Sequence, residues 1–135
     1  MRMIFAGSLL AVFALIATTG PAAAYSPEEA RNSLASDLAE CAAYFTISAV
    51  GLERAGPKKV SDDYHKAAQV ALDLSASMSK PETARARLQL ALRSQMRRID
   101  HSYDNIAILM VDYSDQCKAI LERPADRLQY WLNKQ

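Results

Sequence analysis

Residues 82–123 read ETARARLQLALRSQMRRIDHSYDNIAILMVDYSDQCKAILER, a stretch of 42 residues without a glycine or a proline. Leu88, Leu92, Met96, Ile99, Tyr103, Ile106, Met110, Tyr113, Cys117 and Ile120 recur through it at helical spacing. Taken alone, that pattern allows one helix roughly 60 Å long at 1.5 Å per residue, far above the usual length. The polar run Asp100-His101-Ser102 allows a different reading, in which the chain reverses and two helices result. The fold depends on which is right.

The cysteines decide between them. Cys41 and Cys117 are the only two in the chain. Cys41 lies on an earlier apolar stripe, Leu34, Leu38, Cys41, Phe45, Ser48 and Leu52, flanked by Ala30 and Ala49. That helix starts at Ser26-Pro27-Glu28-Glu29, which combines a serine cap, a proline in the first turn and a glutamate for a capping box. Gly56-Pro57 ends it, the glycine being suited to a left-handed C-terminal position. A second helix is expected from Ser61, with Asp62 and Asp63 near its positive end and a small buried face of Tyr64, Ala67, Ala68, Ala71, Leu74 or Ser75, and Met78. Ser79-Lys80-Pro81-Glu82 repeats the start signal.

With helix one running up, two down and three up, a straight third helix would carry Cys117 about 50 Å above Cys41. A reversal near His101 brings the two back to one level. The expected fold is therefore an all-α, antiparallel four-helix bundle, closed by a Cys41–Cys117 disulfide. A short C-terminal helix from Pro124 follows, with Leu128, Trp131 and Leu132 on its apolar side. The alternative is three helices, the third very long.

The first 24 residues set the compartment. Arg2 precedes the apolar run IFAGSLLAVFALIATT, Gly20-Pro21 breaks it, and Ala22-Ala23-Ala24 supplies small residues before Tyr25. This is the pattern of a cleaved secretory signal, leaving residues 25–135 as a single helical domain. As an uncleaved anchor the apolar span would be short for a bilayer, which needs about 20 residues. No later segment is long and apolar enough to suggest stable membrane insertion after cleavage. An exported chain with an even cysteine count reads as disulfide-bonded, in the periplasm or outside the cell. Removal of Arg2 leaves 15 basic against 15 acidic residues, which argues against a general nucleic-acid binder.

Three groups of residues are candidates for function. Asp100, His101 and Asp104 form the densest polar cluster, able to orient one another or help hold a cation if they share a helix face; the bland alternative is a polar turn. Arg85, Arg87, Arg93, Arg97 and Arg98, with Lys80 at their start, lie opposite the apolar stripe of the third helix and precede an acidic segment, Asp100, Asp104, Asp112, Asp115, Glu122 and Asp126 against Lys118 and Arg123. They read as a solvated face partly paired with that neighbour, or as a docking face for an anionic partner. No aromatic residue interleaves them, against nucleic-acid binding. Tyr130 and Trp131 either pack the last helix down or, were it to detach, form an exposed anchor.

No phosphate loop, nucleophile elbow or paired-histidine metal pattern is present, and one histidine beside two aspartates has no recognised zinc spacing. No catalytic residue, resident metal or cofactor is expected. The expected role is a small exported cell-envelope protein of bacteria, acting as a non-enzymatic binding module on another protein or envelope component. An inhibitor, immunity-type factor, chaperone or accessory subunit would fit. The alternatives are a small enzyme or metal binder built on Asp100, His101 and Asp104, and a self-associating structural component.

Overall fold

The computed structural model describes residues 24–135, so the expected leader lies outside the described residues except for Ala24. Five α-helices follow one another: α1 (Pro27–Ala55), α2 (Lys58–Met78), α3 (Pro81–Arg98), α4 (Ala107–Glu122) and α5 (Pro124–Leu132). A 3₁₀ turn at Tyr103–Asn105 leads into α4.

The start of α1 forms as the sequence dictates. Ser26 Oγ accepts from the Glu29 N–H at 3.2 Å, and Glu29 Oε2 accepts from the Ser26 N–H at 2.8 Å, a complete capping box. These bonds hold the Glu29 carboxyl below its ordinary range. The end of α1 differs from expectation. Gly56 is extended (φ −131°, ψ 177°), because the residue before a proline is pushed out of helical space, and Pro57 follows.

Pro57 itself then takes the cap position of α2, which begins three residues earlier than Ser61. Lys58–Asp62 and Lys59–Asp63 pairs support that first turn. Ser61 is buried instead, and donates to the Ala49 carbonyl at 3.1 Å. Ser79 does not cap α3 either: its hydroxyl turns back to the Ser75 carbonyl, and Lys80 holds the cap position without a side-chain bond.

The chain reverses where the cysteine argument places it, and the single long third helix is excluded. α3 ends at Arg98, and Asp100 and His101 both take left-handed conformations (φ 52° and 55°). The His101 N–H reaches back to the Met96 carbonyl at 2.8 Å, and Ser102 N–H to Ile99 at 2.9 Å. Neither Asp100 nor Ser102 caps α4, because the 3₁₀ turn feeds directly into it through Ile106. The apolar spacing survives the turn for a packing reason. Gly51 of α1 has no side chain, and a Cβ there would meet Ile106 Cδ1 at 2.5 Å and Tyr103 Cδ1 at 3.6 Å. The turn thus closes over α1 at its one bare point, while Arg54 lies over the Tyr103 ring at 4.5 Å.

Helix directions follow from the bonds between them. Ser61 meets Ala49 and Ser75 meets Ala35, so α2 runs against α1. Arg87 meets Asn32 and Gln95 meets Glu40, so α3 runs with it. Ile106 lies at Gly51 and Cys117 at Cys41, so α4 runs against it. This is the antiparallel four-helix bundle, with α5 appended. The Cys41–Cys117 disulfide joins α1 to α4 with its Cα atoms 5.4 Å apart, and both cysteines are buried.

α1 is the axle of the bundle. Every residue from Cys41 to Phe45 is buried, more than one face, because α2, α3, α4 and α5 all pack on it. Leu34, Leu38, Tyr44 and Leu109 supply bulk, each large apolar side chain contributing about 1.5–3 kcal/mol on burial. Ala35, Ala39, Ala42, Ala43 and Ala49 bury little area but let the neighbouring helices approach closely.

Candidate interaction surface

The fold places the three groups of candidate residues in very different surroundings. Asp100, His101 and Asp104 are all exposed on the α3–α4 turn, where two consecutive left-handed residues separate the ends of the two helices. They do not share a helix face. Among the described residues, no group of three or more histidine, cysteine, aspartate or glutamate side chains is placed to hold a metal ion.

The arginines form a ridge. Arg85, Arg93 and Arg97 are exposed along the outer side of α3, and among the described residues none has an ion-pair partner. Arg98 turns the other way and pairs with Asp112 of α4 through its Nε. That contact raises the Arg98 pKa and bridges α3 to α4 just below the turn. The pairing foreseen between basic and acidic segments is thus a single contact. Leu90 stands among these arginines at 60% exposure, a large apolar side chain with no cover. A guanidinium presents a planar fork to carboxylates or phosphates, so such a ridge suits an anionic surface with some apolar area.

The acidic side belongs to α4. Asp112, Asp115 and Glu122 lie along its exposed face, and among the described residues only Asp112 is paired. Ile108 (42% exposed) and Val111 (86% exposed) lie on the same helix. The surface therefore carries a basic ridge and an acidic ridge side by side, each with uncovered apolar side chains.

Between α1 and α3 lies a cleft of about 230 Å³, lined by Ser36 and Glu40 of α1 and by Arg87, Leu90, Ala91 and Ser94 of α3. Burial raises the Glu40 carboxyl above its ordinary range, Asp37 adds to the effect and Arg127 opposes it. Burial also raises the Tyr113 hydroxyl on α4, with Glu40 the next cause. A larger opening of about 780 Å³ lies at the end of the bundle, between the start of α1 and the α2–α3 turn. Its rim mixes Glu28 and Glu29 with Arg31 and Lys80, so it has no net preference for either sign.

α5 is tied down. Trp131 Nε1 and Arg127 Nε both donate to Asp37 Oδ2, at 2.7 and 2.6 Å. The Tyr25 ring meets Trp131 edge-on at 5.7 Å. Trp131 is half-buried and serves the fold, whereas Tyr130 is exposed, with Arg127 4.4 Å from its ring centroid. Asp37, which makes this arrangement possible, carries no signal of that role in the sequence. Its place one residue before Leu38 gives no hint of a partner 90 residues away.

Comparison with protein-family models, curated proteins and solved structures found no match to this chain, so the functional argument rests on these residues.

Proposed function

We propose that this is a small non-enzymatic interaction module, exported by its leader to the cell envelope of a bacterium, and that it docks through the ridge of α3. The buried disulfide suits an oxidising compartment. Among the described residues no helix is long and apolar enough to cross a membrane. The observation that carries the docking role is the ridge itself: Arg85, Arg93 and Arg97 without acidic partners among the described residues, beside uncovered Leu90. Arginine is enriched where protein interfaces carry their binding energy, and charge of one sign selects a partner of the other.

A photo-cross-linking side chain placed at Gln89, on the ridge, tests the proposal in cells exporting the protein. The control position is Val70, exposed on α2. An adduct formed from position 89 and not from position 70 is the expected result. Equal labelling from both positions, or none from position 89, would overturn it. So would a hydrolytic or redox activity of the purified domain that is lost on changing one polar side chain.

A further inference from the structure

We propose that the face shared by α3 and α4 docks a second copy of this chain, about a two-fold axis parallel to the helices. The proposal rests on the reading of the α3 ridge as an interaction face, and it names the partner. Its ground is that the surface is complementary to itself. One helix carries Arg85, Arg93 and Arg97 and its neighbour carries Asp112, Asp115 and Glu122, yet within the chain only Arg98 and Asp112 pair across. A two-fold operator of this orientation places α3 of one copy over α4 of the other, and the reverse. Arg93 and Arg97 then meet the Asp112–Asp115 stretch, while Lys118, exposed lower on α4, adds one like charge.

The levels agree. The Arg98–Asp112 pair fixes the height of α3 against α4, and the two helices run in opposite directions. Counting 1.5 Å per residue from that pair, Arg97 lies within about 2 Å of the height of Asp112, and Arg93 within about 3 Å of Asp115. The operator preserves height, so each arginine faces the matching aspartate of the other copy within side-chain reach. Leu90 comes level with Ala119, a small exposed residue that leaves room for it. An axis at right angles to the helices would instead lay α3 on α3, arginine against arginine.

The patch is small. Helices of 18 and 16 residues lying side by side present a face roughly 25 Å by 20 Å, at or below the ~800 Å² per partner of a standard interface. The association is therefore weak, and salt weakens it further.

Sedimentation of the mature exported chain across a concentration series tests this. Wild-type protein should shift from monomer to dimer towards about 1 mM at low salt and return to monomer in about 0.5 M salt. The variants R93D and D115R should each lose at least about tenfold in dimer affinity, because each places like charges opposite one another twice. Mixed together they should form a heterodimer, since both contacts are then of opposite sign. Circular dichroism confirms that these surface variants keep their helices. Monomeric wild type throughout the series overturns the second copy as partner, and so does a dimer indifferent to R93D or a mixture that stays monomeric. A cross-link from position 89 to some other protein, with wild type monomeric, would leave the interaction module standing without this inference.

Discussion

Tyr44 shows what a single side chain does in this core. It is fully buried, stacked against Tyr113 at 5.9 Å and edge-on to Tyr64 at 6.2 Å. Its hydroxyl faces those of Tyr64, Ser114 and Ser48, yet no partner stands in hydrogen-bonding geometry. Burial first, then Tyr64, pushes its pKa up to about 12 from the ordinary 10.0. A buried hydroxyl without a partner costs stability, so Tyr44→Phe should raise unfolding free energy by about 1 kcal/mol, measured by urea titration at pH 7. A loss of similar size would show that the hydroxyl is bonded after all. The alkaline limb gives a second reading. Below pH 10 tyrosine is neutral in both states and this contribution is intact. As pH rises towards 12 the unfolded side chain ionises first, and stability falls across that window. Phenylalanine at 44 should flatten that part of the decline. Phe45 and Ser48 lie on the periodic stripe of α1, whereas Tyr44 falls beside it and is buried because α1 buries more than one face. At the same scale, His101 holds a left-handed conformation with a Cβ, at a cost of about 1–2 kcal/mol. His101→Gly relieves this but gives up chain entropy on folding, so a gain of about 0.5–1 kcal/mol is expected in the same assay.

At the scale of elements, α4 depends on covalent attachment. It lies against α1, and its side-chain link to α3 is the exposed Arg98–Asp112 pair, of a kind usually contributing less than about 1 kcal/mol. The disulfide closes a loop of 76 residues in sequence separation, which by loop entropy contributes roughly 4 kcal/mol. Replacing both cysteines by serine should remove about 2–4 kcal/mol and speed amide exchange in α4 and α5 well before α1 and α2. Uniform loss of protection along the chain would contradict that division. The helices themselves were largely legible, because proline and serine starts and 3.6-residue periodicity are local signals. Their ends were less so. The α3–α4 turn uses no glycine, and the glycine that makes room for it, Gly51, sits half a chain away inside α1. A local reading of either segment has no access to that contact.

For the molecule as a whole, the sequence carried the architecture through a long-range constraint rather than through periodicity. Two cysteines and a rise per residue were enough to choose four helices over three. What it did not carry was the central place of α1. Alanine contributes little to an amphipathic pattern, so the sides of α1 lined by Ala35, Ala39, Ala42 and Ala43 looked neutral, although helices pack there. The arginine and aspartate ridges were visible as composition, but their adjacency, and the heights at which their charges lie, required the bundle. One contact noted above reaches further than the packing of α5. Tyr25 stands two residues before α1, Trp131 four residues before the end of the chain, and their rings touch. The two ends of the described residues thus lie close together. A linker of a few residues could join Gln135 to Tyr25, and the chain could be opened instead at Gly56-Pro57, giving a circular permutant that keeps every helix and the disulfide. In such a rearranged order, α1 would be made last and inserted into partners already waiting for it.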